Sequence, residues 1–145
     1  MNLRYASIAG LLLAVAGIAI LFYEQSLLAT QIDPIMIQVF AVALMVWARL
    51  TFGMRSFHAA ANPTEGGLVT SGPYHFVRHP IYAAVLYFVW AGIASHLSVI
   101  SVLCGIGVFA GLFVRILAEE QLVVKRYPEY TTYAQKTRRL IPYLF

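Results

Sequence analysis

The run from Pro80 to Val114 constrains this chain most, because its thirty-five residues include no formally charged side chain. As one helix it would be about 52 Å long, whereas the hydrocarbon core of a bilayer is about 30 Å thick. The run is therefore predicted to cross a membrane twice, with the break at Ser95-His96-Leu97-Ser98. Four glycines are predicted to bring the two arms of this helical hairpin close together, namely Gly92, Gly105, Gly107 and Gly111.

Two further spans precede this hairpin. Tyr5 to Tyr23 carries no charge, and Pro34 opens a second apolar run that reaches Phe52, with Arg49 expected to snorkel from its end. A signal peptide ending near Ala14-Val15-Ala16 is an alternative for the first run, but the apolar residues continue beyond Ala16. The predicted fold is all-α, with four transmembrane spans at about 5–23, 34–52, 80–95 and 98–117.

The composition excludes a soluble domain. Charged residues make up 11% and hydrophobic residues 61% of the chain, whereas soluble domains contain about 25% charged residues. The single cysteine, Cys104, lies in an apolar run, so it is predicted to be a core residue, and neither a disulfide framework nor a cysteine metal site is expected. The net charge is +4, and the positively charged residues flank the apolar segments instead of forming one block. This pattern favours membrane topology over nucleic-acid binding.

The positive charges predict the orientation in the membrane. All ten Lys and Arg fall with the N-terminus, the region around 53–79 and the C-terminal segment, and none near 24–33 or 95–98. The positive-inside rule then places both termini in the cytoplasm, most simply at the cytoplasmic membrane. The fourth helix is predicted to extend past the membrane to Tyr127, where Pro128 ends it. The mixed segment 53–71 is expected to lie along the interface and fold over a site, and residues 1–145 form one domain.

Polar chemistry is concentrated in Gly72-Pro73-Tyr74-His75-Phe76-Val77-Arg78-His79-Pro80-Ile81-Tyr82. Pro80 suits the first position of a helix, so the amides of Ile81, Tyr82 and Ala83 are predicted to lack helical acceptors and to favour an anionic group. Arg78 and His79 add donors at the same place. The alternative is that these two residues only anchor a transmembrane helix at the headgroups.

Arg115 and Glu119 stand four residues apart at the predicted cytoplasmic end of the last span. The simplest interpretation is an i,i+4 ion pair on a helix surface. The predicted topology, however, places them level with the start of the third span and with the interfacial segment. Three polar elements are thus expected to converge at one side of the membrane.

Five motifs in order carry a resemblance to a known family: Leu68-Val69-Thr70-Ser71-Gly72-Pro73-Tyr74, Arg78-His79-Pro80-Ile81-Tyr82, Glu119-Glu120, Tyr130-Thr131-Thr132-Tyr133 and Arg139-Leu140-Ile141-Pro142. Together they resemble the isoprenylcysteine carboxyl methyltransferase family, which is related to the phospholipid methyltransferases. The resemblance covers about half the chain, from Gly66 to Pro142.

The resemblance implies S-adenosylmethionine as methyl donor, bound on the cytoplasmic side by segments 66–82 and 115–142. It implies in-line transfer without a metal, to a lipid or small hydrophobic acceptor such as a prenylcysteine-like carboxylate, an amine or a thiol. Arg115 is implied to orient the acceptor, and Glu119 to be the acidic cofactor contact, although Glu120 stays open for that role. The remaining implied cofactor contacts are Gly67, Leu68, Val69, Tyr74, His79, Pro80, Ile81 and Tyr82.

Two departures from the family pattern affect the expected pocket shape. Ala84 stands where the family usually has glycine, and Tyr127-Pro128-Glu129-Tyr130 is one residue shorter than the commoner form. The rival hypotheses are a cofactor-binding relative without activity and a small four-span transporter or membrane scaffold. A transporter is expected to carry an ionisable residue in mid-membrane, and these spans have none at their centres. The sequence predicts no oligomeric state.

Overall fold

The computed structural model describes residues 3–53 and 67–144, which are helical and contain no strand apart from an isolated bridge. The helices are α1 (Leu3–Tyr23), α2 (Ile32–Phe52), α3 (Pro80–Ser95), α4 (Val99–Arg126) and α5 (Tyr130–Lys136), with a 3₁₀ helix at Gly72–His75. Most of the segment predicted to lie along the interface, together with the predicted site boundary at Gly66, falls outside the described residues.

Three of these helices are long and apolar enough to cross a membrane, namely α1, α2 and α4. α3 is apolar but has only 16 residues, about 24 Å of helix, which is shorter than a typical hydrocarbon core. The count of four spans therefore stays a prediction. α4 has 28 residues and a length of about 42 Å, so part of it extends beyond the hydrocarbon core.

The link between α3 and α4 falls at residues 96–98, because Ser98 caps α4. The Ser98 hydroxyl accepts a hydrogen bond from the Ser101 amide at 3.0 Å, and the Ser101 hydroxyl accepts one from the Ser98 amide at 2.9 Å. This reciprocal pair satisfies amides that the first turn of a helix leaves without partners. His96 lies in this link, where its Nε2 is 3.0 Å from the carbonyl oxygen of Leu28.

α4 packs mainly against α1, and α2 packs mainly against α3, whereas contacts between α3 and α4 are few. The closest approach is between Gly111 of α4 and Gly10 of α1, where a Cβ atom on either residue would clash with the carbonyl oxygen of the other. Only glycine allows two helix backbones to lie this close. Gly111 therefore serves the contact with α1 and not the predicted hairpin contact with α3.

Two other glycines also differ from that prediction. Gly92 faces the backbone of Leu27 in the link between α1 and α2, whereas a Cβ atom on Gly107 would meet no other described helix within 4 Å. Gly105 does lie against α3, beside Ile93 and Trp90. The prediction that all four glycines lie in the hairpin interface is therefore wrong for all but Gly105, because α4 packs mainly against α1 and α3 packs mainly against α2.

The C-terminal segment runs beside the residues that precede α3. Val77 and Arg138 form a parallel bridge, and the amides of Arg78 and His79 donate to the carbonyls of Arg138 and Arg139 at 2.7 and 3.0 Å. These bonds hold residues 138–139 at the entrance of α3. The Tyr87 hydroxyl adds a hydrogen bond of 2.8 Å to the carbonyl of Leu140.

The 3₁₀ helix lies against the end of α2. Gly72 has a φ of +56°, and a Cβ atom there would be 2.7 Å from Oγ1 of Thr51, so both conformation and space favour glycine. The rings of Phe52 and Tyr74 pack with centroids 5.4 Å apart. The Tyr133 hydroxyl of α5 donates to the Tyr74 carbonyl, so α2, the 3₁₀ helix and α5 meet at one place.

Candidate active site

A cavity of about 290 Å³ lies where the end of α2, the start of α3, the late part of α4 and α5 converge. Its volume is close to the lower end of small-molecule sites, roughly 300 to 1,000 Å³. All ten residues implied by the resemblance line it: Gly67, Leu68, Val69, Tyr74, His79, Pro80, Ile81, Tyr82, Arg115 and Glu119. The fold therefore brings two distant segments of the sequence around one cavity.

Arg115, Tyr82 and Glu119 form a connected group in the cavity wall. Arg115 is only 5% exposed, and its Nε donates to the Tyr82 hydroxyl at 2.6 Å and lies 3.1 Å from Oε1 of Glu119. The Tyr82 hydroxyl in turn donates to that same Oε1 atom. The i,i+4 ion pair is present, but it is part of a largely buried group facing a cavity and not a pair on a solvated helix surface.

His79 stands between two carboxylates. Its Nε2 is 3.3 Å from Oε1 of Glu120, and its Nδ1 is 3.9 Å from Oε2 of Glu119. The ring also stacks on Tyr82, with centroids 5.7 Å apart and an interplanar angle of 19°. His79 is thus held as part of the cavity wall, and its role extends beyond anchoring a helix at headgroups.

Glu120 has both carboxylate oxygens occupied by the protein. Oε1 accepts from Nε of Arg78 at 2.8 Å, and Oε2 accepts from Nε and Nη2 of Arg139 at 3.1 and 2.9 Å. Tyr130 adds a weak contact at 3.4 Å. Burial by itself would raise the pKa of Glu120, but hydrogen bonds from His79 and Arg139 and the charge of Arg78 lower this pKa to about 2.

Arg78 ties α5 to this network. Its Nη1 donates to the carbonyls of Ala134 and Thr137, both at 2.7 Å. This places Tyr130 and Tyr133 in the cavity wall. Burial raises the pKa of the Tyr130 hydroxyl well above its usual range and raises that of Tyr133 to about 12, so both remain neutral donors at physiological pH.

The first turn of α3 differs in one detail from the prediction. Ala83 donates its amide hydrogen to the carbonyl of His79 at 2.9 Å, so Ala83 is already inside the helical hydrogen-bond pattern. Pro80 has no amide hydrogen, which leaves Ile81 and Tyr82 as the first-turn amides ahead of that bond. The predicted site for an anionic group therefore offers two free amides instead of three.

Several cavity residues had no role in the sequence analysis. Arg49 was expected to snorkel, but it is half-buried and lines the cavity. Tyr130 and Tyr133 were quoted only as part of a motif, although their three-residue spacing after Pro128 would have indicated one helical face. The other additional lining residues are Leu11, Phe52, Val123 and Tyr127, and the cavity also includes Arg78 and Glu120, which the sequence analysis had considered.

A second cavity, of about 280 Å³, is lined only by apolar side chains. On α2, the lining residues of this cavity nearest the polar one are Met45 and Val46, about one helical turn before Arg49. On α3 they are Ala84 and Val85, about one turn after Ile81. The departure from the family pattern at Ala84 thus lies in the wall of this apolar cavity, not in the polar one. The two cavities thus lie at successive positions along α2 and α3, with no lining residue in common.

One comparison with known proteins gave a match. The model of the isoprenylcysteine carboxyl methyltransferase (ICMT) family matches residues 34–125, from the first turn of α2 to the end of α4. Searches of curated proteins and of solved structures found no significant match. The matched region is well over half of the chain and includes every residue that lines the polar cavity except Leu11, Tyr127, Tyr130 and Tyr133.

Proposed function

Because this chain belongs to the isoprenylcysteine carboxyl methyltransferase family, we propose that it is a membrane methyltransferase that uses S-adenosylmethionine and a lipidic or small hydrophobic acceptor. One observation carries the proposal. Residues 67–82 and 115–120, which are far apart in sequence, line a single cavity with an acidic, a basic and several aromatic side chains. When bound, S-adenosylmethionine would supply a methyl group on a positively charged sulfur.

The polar cavity offers suitable partners for each part of this donor. The amides of Ile81 and Tyr82 suit a carboxylate, because the start of a helix carries a partial positive charge. The tyrosine faces suit a cationic sulfur through cation–π attraction. Glu119 suits an ammonium or ribose hydroxyls.

Glu119 is better placed than Glu120 to be the acidic donor contact. Both oxygens of Glu120 accept strong hydrogen bonds from the protein's own arginines. Among the described residues, Oε2 of Glu119 has only the 3.9 Å approach of the His79 ring, which is too long for a hydrogen bond. Glu119 therefore retains acceptor capacity, and the choice between the two glutamates favours Glu119.

The apolar cavity supports an acceptor with a hydrocarbon portion. It lies along α2 and α3 beyond the turns that line the polar cavity, so a hydrocarbon chain in it would direct the polar end of the acceptor toward that cavity. Buried apolar area would supply affinity, at about 0.8 kcal/mol per methylene group. Catalysis would come from holding the acceptor atom in line with the methyl group in a site that excludes water.

Replacement of either His79 by alanine or Glu119 by glutamine is expected to weaken S-adenosylmethionine binding by about 1 to 3 kcal/mol, the scale of one charge-assisted hydrogen bond. Calorimetry on purified protein in detergent measures this directly. Glu129→Gln is a matched control, because Glu129 is exposed and does not line the cavity. Wild-type affinity in both site variants would remove these residues from the donor site.

Val46→Phe is expected to lower transfer to long-chain acceptors about tenfold, because a phenyl group that displaces two methylenes forfeits about 1.6 kcal/mol. Val46 lines the apolar cavity but is half exposed, so the larger ring has room to fold. Val39→Phe makes the same change at an exposed position of α2 outside the cavity. The measurement is the rate of methyl transfer to prenylcysteine and to fatty acids of increasing length, assayed in parallel. Equal rates in both variants would show that the cavity holds no acceptor.

Both termini are proposed to lie in the cytoplasm, with position 29 on the opposite side, as the distribution of Lys and Arg favours. Reporter fusions at position 29 and at the C-terminus should then give opposite signals. The same signal from both fusions would contradict this topology. A transporter or scaffold would give the same topology but no transfer of labelled methyl groups, which separates it from the proposed enzyme.

A further inference from the structure

Glu120 joins three segments that the chain places far apart. It lies on α4, accepts from Arg78 and His79 at the entrance of α3, and accepts from Arg139 in the C-terminal segment. Its side chain is 13% exposed. A single carboxylate thus connects one wall of the polar cavity with the C-terminal segment that runs beside the entrance of α3.

The contact with His79 determines how the imidazole is presented. A carboxylate ion only accepts hydrogen bonds, so a ring nitrogen that faces it must carry the hydrogen. The low pKa of Glu120 keeps this carboxylate ionised at neutral pH. This contact therefore favours a ring hydrogen on Nε2, and it leaves Nδ1 for a contact with a second group.

The remaining contacts of His79 fix the direction of that nitrogen. The ring stacks on Tyr82, and the backbone amide is held by the carbonyl of Arg139 at 3.0 Å. With Nε2 turned to Glu120, Nδ1 lies on the side of Glu119, 3.9 Å from Oε2. A donor group in the cavity that lies off the line joining these two atoms could bond to both.

We propose that Glu120 is a positioning residue for the donor site, which holds the Nε2–H of His79 and thereby presents Nδ1 beside Glu119 to the bound donor. This inference rests on the proposed function and adds a role that Glu120 performs through His79. Loss of the carboxylate would free the ring to present either nitrogen, because a glutamine amide offers both an acceptor and a donor to it.

Nitrogen-15 NMR of the full chain in detergent, labelled at histidine, tests the proposal, with His79→Asn to assign the signals. In the wild type, Nε2 of His79 is expected to be protonated, and addition of S-adenosylhomocysteine should shift Nδ1 more than Nε2. In Glu120→Gln the preference for Nε2–H should disappear, and affinity for S-adenosylhomocysteine should fall about tenfold, as for one charge-assisted hydrogen bond.

Arg139→Gln is the matched control, because it breaks another contact of Glu120 and leaves the contact with His79 in place. Its His79 should keep the Nε2–H form. An unprotonated Nε2 in the ligand-free wild type would overturn the proposal even if Glu120→Gln failed to fold. Wild-type protonation and affinity in Glu120→Gln would overturn it as well. Absence of S-adenosylhomocysteine binding by the wild type would instead reject the proposed function, while the ligand-free spectra still decide the role of Glu120.

Discussion

Arg115→Lys is expected to lower the rate of methyl transfer about 100-fold, the scale associated with misplacing a reacting group by about 1 Å. Arginine presents a planar fork that binds a carboxylate bidentately, whereas lysine presents a point charge. Arg115 Nε also donates to the Tyr82 hydroxyl, and lysine cannot reproduce this bond together with a second contact in the same plane. The acceptor would be held in many orientations instead of one.

Affinity for S-adenosylmethionine in the same preparation is expected to stay within about threefold of the wild type, because a lysine still neutralises Glu119. Arg126→Lys is the matched control, since Arg126 is on the same helix, is exposed and does not line the cavity. Normal transfer by Arg115→Lys would reduce Arg115 to an ion-pair partner. An equal loss of transfer and cofactor binding would move it into the donor site.

Glu120→Gln is expected to lower the free energy of unfolding by about 3 kcal/mol at pH 7. The pKa of Glu120 falls from 4.5 to about 2 in the folded protein, and a shift of this size corresponds to about 3 kcal/mol of stability. Physically, the glutamine leaves Arg78 and Arg139 without the carboxylate that binds both. Removing one partner of a buried ion group is strongly destabilising.

The stability that Glu120 contributes is expected to depend on pH. Because folding lowers the pKa, the contribution of Glu120 is complete above about pH 4.5 and is lost as the pH falls toward 2. Thermal unfolding in detergent, followed from pH 7 to pH 2.5, should show the wild type and Glu120→Gln converging at the acid end. Glu129→Gln, at an exposed position, should follow the wild type within about 0.5 kcal/mol. A constant difference between the two curves at every pH would contradict the assignment to this carboxylate.

Sequence reasoning found the membrane class and the motifs around the cavity because those signals are local. The length of an apolar run and a proline at a helix start act within a few residues. It placed the third span at 80–95, the bounds that α3 has, but it did not find that Tyr130 and Tyr133 return to the cavity. The return depends on Arg78 and on the bridge between Val77 and Arg138, which are contacts between segments some sixty residues apart.

By itself, the sequence determined that this is an apolar helical membrane protein of the isoprenylcysteine carboxyl methyltransferase family, with its polar chemistry near 67–82 and 115–120. Only the tertiary structure decided which helices pack together and what each of two neighbouring glutamates contacts. Gly111 meets Gly10 of α1, a partner that no local pattern specifies. Successive residues on a helix point about 100° apart, so Glu119 contacts Arg115 and Tyr82 while Glu120 contacts Arg78 and Arg139, although both line the cavity. Local interactions set where a helix begins and ends, whereas the partners of a side chain depend on which segments the whole fold packs against it.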